Sequence, residues 1–138
     1  MTRLAIVSAL CAFIVANTVV VANAQEIGPL SDRCSSGDPN ACIELLKAVM
    51  VMTDQSALAK IAVENKYWKA RLLAVGNLKD QAPLAKVAVK DDEPSVRCGA
   101  VKKLTDKALL AKIAVEDKTS SVRDAAKQRL AQLRNKAK

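Results

Sequence analysis

Leu58-Ala59-Lys60-Ile61-Ala62-Val63 returns as Leu84 to Val89, with Val87 in place of the isoleucine, and again unchanged as Leu110 to Val115. The spacing is 26 residues each time. A fixed period of this length marks a stacked-repeat architecture. Each unit is too small to bury its own apolar face and must lean on its neighbours. Such a chain presents surfaces to other macromolecules more readily than it encloses a reaction.

The repetition extends beyond the phrase. Asp54, Asp80 and Asp106 share one position of the period, and Arg71, Arg97 and Arg123 share another. Ala74, Ala100 and Ala126 recur, as do Leu78, Leu104 and Leu130. The units run 41–66, 67–92 and 93–118, with a half unit from 119 in which Gln132 takes the place of the aspartate. Each unit reads as two short helices. Val96, Ala100 and Leu104 share one face of the first, and Leu84, Val87 and Ala88 one face of the second. Asp54, Asp80 and Asp106 precede apolar-periodic segments, as N-cap carboxylates do. Pro83 falls in a first turn, where its missing N–H costs little. The recurring alanines Ala59, Ala62, Ala85, Ala88, Ala111 and Ala114 predict close helix–helix approach.

The pattern Ser95-Val96-Arg97-(x)2-Ala100-(x)3-Leu104-(x)-Asp106-(x)3-Leu110-(x)2-Ile113-Ala114 resembles the short HEAT-like repeats, including the phycobilisome-lyase and leucine-rich-repeat-variant types. The resemblance covers residues 41–134. It implies an all-α, right-handed α–α superhelix of about four two-helix repeats, with the second helices on the concave side. It also implies that Arg71, Arg97 and Arg123 form a structural ladder, with Asp54, Asp80 and Asp106 as partners. It carries no chemistry, because fold does not imply function.

Residues 1–24 read as a signal peptide. Arg3 precedes an apolar run from Leu4 to Ala22, and Ala22-Asn23-Ala24 is a peptidase site. An uncleaved anchor is the competing reading, since the run approaches spanning length. Cleavage implies export, to the periplasm or outside the cell. Segment 25–40 reads as an N-terminal loop and cap, and 135–138 as a flexible tail. In an oxidising compartment Cys34 and Cys42 pair as a disulfide across a short turn. Cys98 is left over: a small buried hydrophobe, or a thiol for a mixed disulfide or covalent dimer.

No histidine occurs anywhere, so Cys98 has no imidazole base and no metal-ligating Cys/His set forms. We expect no catalytic residue, no cofactor and no metal. Residues 25–94 hold nine basic and ten acidic residues, whereas 95–138 hold twelve and four. The basic half is either a polar end cap or the mark of an anionic partner. Lys60, Lys86 and Lys112 recur on the second helices. Glu64 and Glu116 sit four residues after two of them and are placed to pair, while the middle unit has Lys90 instead. Tyr67 and Trp68, the aromatic pair of the repeat region, either cover the first repeat or form an exposed hot spot. The sequence thus predicts an exported, non-enzymatic scaffold that binds another protein through Lys60, Lys86, Lys90, Lys112, Tyr67 and Trp68. The runner-up is a binder of an anionic polymer or membrane surface through the basic half. Nucleic acid is the less plausible partner for an exported chain.

Overall fold

A computed structural model describes residues 24–136, with side chains from residue 27. The signal-peptide reading therefore lies outside the described residues. Eight helices follow one another, with no strand among the described residues: α1 (Ala24–Ser35), α2 (Pro39–Val51), α3 (Gln55–Glu64), α4 (Trp68–Asn77), α5 (Gln81–Lys90), α6 (Pro94–Lys103), α7 (Lys107–Glu116) and α8 (Ser120–Asn135). Helices pack on sequential neighbours, so the chain is an α-helical solenoid. The sequence units hold α2/α3, α4/α5 and α6/α7, with α8 as the half unit, while the sequential helices that pack most on each other are α1/α2, α3/α4, α5/α6 and α7/α8.

Local chemistry sets where each helix starts. The Asp38 carboxylate accepts from the N–H groups of Asn40 and Ala41, and Pro39 opens α2. Asp54, Asp80 and Asp106 cap α3, α5 and α7 in the same way. Each satisfies N–H groups that a helix start leaves without partners. The first helices α4, α6 and α8 have no side-chain cap of their own. They are held by tertiary bonds instead.

Helices of ten residues are unstable in isolation, so the interior must hold them. A single core runs the length of the stack. It alternates Leu45, Leu58, Leu78, Leu84, Leu104 and Leu110 with Ala62, Ala74, Ala88, Ala100 and Ala126. The two layers differ. The first helices α2, α4, α6 and α8 pack closely in series; α3 and α5 meet more lightly, and α5 and α7 less still. The approach is tight at Gly99, where an added Cβ would lie 2.9 Å from Leu72 Cδ1. In keeping with the sequence, Ala62, Ala88 and Ala114 are buried in the core where α3, α5 and α7 pack on α4, α6 and α8. Ala59 and Ala85 are only half-buried, and Ala111 is exposed.

Segment 25–40 is corrected from a loop to a helix and turn. α1 packs on α2 and buries Ile27 and Cys34. It ends at Ser35, and the turn that follows holds Gly37, whose φ of 98° suits a residue without a Cβ. The chain then turns into α2, with the sulfurs of Cys34 and Cys42 1.99 Å apart. Asp38 also receives Arg33 Nη2 at 2.6 Å. That guanidinium, with the N–H of Ala41, holds the Asp38 carboxyl below its ordinary range. Residue 135 of the expected tail belongs to α8.

Candidate functional site

The regular spacing of the arginines is explained by a ladder along the turns between units. Arg71 donates Nε and Nη2 to the two carboxylate oxygens of Asp91, at 2.7 and 2.9 Å. Its Nη1 donates to the carbonyls of Asn65 and Lys66 in the preceding turn. Arg97 repeats this one unit on. Its Nε and Nη2 reach Asp117 at 2.9 and 3.1 Å, and Nη1 reaches the carbonyls of Asp91 and Asp92. Nη2 also donates to Thr119 Oγ1. Each guanidinium therefore ties one turn to the next.

The aspartates that take the arginines are Asp91 and Asp117. This corrects the assignment to Asp54, Asp80 and Asp106, whose carboxylates are occupied at the starts of α3, α5 and α7. The reason is geometric. The caps lie at the far end of each second helix from the turn the arginine faces. Asp91 and Asp117 also accept from the N–H of Glu93 and Thr119, which fixes the carboxylates for the fork. Burial disfavours the Asp117 charge, but Arg97 and the Thr119 N–H outweigh it and hold the carboxyl below 3.8. The bond to Asp91 raises the pKa of Arg71. Arg97 is 2% exposed, and no buried side-chain nitrogen or oxygen among the described residues lacks a partner.

Two further ladders escape the sequence reading. Gln55 takes the Lys79 N–H at 2.7 Å and donates to the Asn77 carbonyl; Gln81 does the same with Thr105 and Lys103. Asn77, Lys103 and Arg129, again 26 apart, donate backward to carbonyls at the ends of preceding first helices. Asn77 reaches Val49 and Met50, Lys103 reaches Gly76, and Arg129 reaches Leu104. Carbonyls in the last turn of a helix lack the usual partner further along it, and these bonds supply one; Val49 also accepts from the Met52 N–H. Burial, with Lys79 nearby, lowers the pKa of Lys103.

The recurring lysines occupy a different face. Lys60, Lys86, Lys90 and Lys112 are all exposed on α3, α5 and α7. Of the two predicted lysine–glutamate pairs only Lys112–Glu116 closes, at 3.8 Å; Lys60 and Glu64 form none. Because the second helices stand apart, crevices open between them. Lys86 and Lys90 flank one with Ala62, Val63 and Asp91. Lys112 flanks another of about 260 Å³ with Val89, Leu109 and Ile113. Val89 is 53% and Val115 78% exposed, so the lysines are interleaved with uncovered apolar groups.

Tyr67 and Trp68 do not line the crevices flanked by Lys86, Lys90 and Lys112. Tyr67 is half-buried against the core at the start of α4. Trp68 is at the border of exposure, at 36%, with Lys69 Nζ 5.7 Å from its ring centroid. Cys98 is half-buried, its sulfur 4.0 Å from Ser121 Oγ. No helix among the described residues is long and apolar enough to cross a membrane.

Compared with models of known families, with functionally described proteins and with solved structures, the chain matches none.

Proposed function

We propose that the chain is an exported HEAT-like repeat scaffold that binds another protein through its second-helix face and carries out no reaction of its own. The observation that carries this is the periodic surface of α3, α5 and α7. Exposed lysines alternate there with Val63, Val89 and Val115 over shallow crevices. A partner segment with acidic and apolar side chains would satisfy both. Cys34 and Cys42, at bonding distance, support the exported address, because such bridges persist in oxidising compartments.

The test uses the chain from residue 25 as bait on native envelope extract, beside its Lys86→Glu/Lys90→Glu form. Capture that is lost in the double variant, with helicity unchanged, supports the second-helix face. Equal capture by both forms sinks that face and moves attention to Tyr67 and Trp68. One observation favours a second reading, an anionic polymer or membrane surface: Arg123, Lys127 and Arg134 share one face of α8. Binding dominated by released counterions, with a steep salt slope and indifference to Lys86 and Lys90, would select that reading.

A further inference from the structure

The arginine ladder stops with a rung half made. Arg123 stands where Arg71 and Arg97 stand, and its Nη1 makes the backward bond, to the Asp117 carbonyl at 2.7 Å. Among the described residues its Nε and Nη2 have no acceptor, whereas both are bonded to an aspartate in Arg71 and Arg97. The cause lies in α8. The helix runs on to Asn135, past the positions where α4 and α6 end, and among the described residues no helix follows it to bring a carboxylate to the fork.

The surroundings fit a polar polypeptide rather than another stacked unit. Leu72 and Val75, like Cys98 and Val101, pack within the core cluster in earlier units; their counterparts in α8 are Asp124 and Lys127, both exposed. Arg123, Lys127, Leu130 and Arg134 are spaced four, three and four residues apart, which sets them on one stripe about 16 Å long. Lys107 joins Lys127, Leu130, Ala131 and Arg134 around a shallow cleft at this end. The neighbouring Asp124–Lys127 pair is exposed on both sides and leaves the stripe basic. A second copy would oppose one basic stripe to another. A planar guanidinium with Nε and Nη2 free is shaped for a carboxylate, and Leu130 and Ala131 offer apolar contact further along α8, in the cleft with Lys127 and Arg134.

We propose that the α8 end is a docking site for an acidic segment of another protein, one aspartate of which completes the Arg123 fork as the next rung. This rests on the protein-binding reading but uses a surface separate from Lys86 and Lys90. The test titrates the whole chain with a synthetic peptide of its own turn sequence, residues 87–96, while the Arg side-chain Nε–Hε resonances are followed by NMR. The Arg123 resonance should move saturably while that of Arg97 stays fixed. Replacing the peptide's rung aspartate by asparagine should weaken binding at least tenfold, as should Arg123→Lys, which keeps the charge and loses the fork. Should Arg123→Lys unsettle α8, Lys127→Glu/Arg134→Glu gives the same readout, since neither side chain bonds within the core. Equal affinity for the asparagine peptide, an unmoved Arg123 resonance, or tighter binding to anionic vesicles that ignores Arg123→Lys would each overturn the proposal. The Lys86→Glu/Lys90→Glu chain should keep peptide binding. Peptide binding without capture of an envelope partner removes only the second-helix site, and capture without peptide binding removes only this one.

Discussion

Arg97 shows how much of the stack rests on single side chains. Its guanidinium fills five hydrogen-bonding contacts at once and is almost wholly out of water. Arg97→Ala would take the guanidinium from the Asp117 carboxylate and from two turn carbonyls, leaving Asp117 only the Thr119 N–H. Breaking a buried pair in this way costs about 3–5 kcal/mol. We expect a large fall in melting temperature, and a smaller one for Arg71→Ala, whose side chain is 13% exposed. An unchanged melting temperature with lost partner binding would make the arginine a binding residue instead. Acid should act through the same rung. The Asp117 pKa is lower in the fold than its ordinary 3.8, so its contribution is complete above that value and is lost as pH falls through the folded one. Thermal melts at pH 7 and pH 3 should therefore differ less in Asp117→Asn than in the parent chain. The six recurring charges were legible at the level of position but not of pairing. A cap is a local event, and Asp54, Asp80 and Asp106 declare it in the next few residues. The arginine partners lie 20 residues away, where the period offers two aspartates, and only the path of the helices chooses between them.

Among the elements, the first helices show a division between glycines. An added Cβ at Gly76 meets nothing within 4 Å, so Gly76→Ala should stabilise α4 by about 0.5–1 kcal/mol. At Gly99 the same methyl presses on Leu72, and the helix-propensity gain is offset by displacement of that side chain. Urea titrations of the two variants should separate them, with Gly99→Ala the less stable. The sequence announces the helices and their apolar faces through the 26-residue phrase. It hides the tight contact at Gly99, because that glycine occurs once in the period. It hides the backward carbonyl ladder for a similar reason. Asn77, Lys103 and Arg129 share a role but not a residue type, so no repeated letter marks them. α1 escapes notice because Gly28, Pro29 and Gly37 read as loop. Its tie to α2 predicts one intramolecular bridge, Cys34–Cys42, with Cys98 free in the non-reduced mass spectrum. Reduction should cost about 2–3 kcal/mol in the chain-entropy model. A bridge containing Cys98 would break the assignment.

At the scale of the molecule, the stack keeps its two kinds of lysine use apart. Lys103 is built into the frame, while Lys60, Lys86, Lys90 and Lys112 project from the splayed layer. Lys86→Glu with Lys90→Glu should weaken an acidic partner without changing the circular dichroism, and the difference should shrink as salt screens exposed charges beyond about 10 Å. Normal binding by the double variant at low salt would remove the second-helix face from consideration. The ladders described above have one more property. None of their inter-unit side-chain bonds joins residues more than 28 positions apart. Loop-closure entropy therefore stays small at every step, and folding speed follows from local contacts of this kind. A chain so wired can grow its structure from the amino end as it is threaded or synthesised, each new pair of helices closing on the pair before it, without waiting for its own last residue.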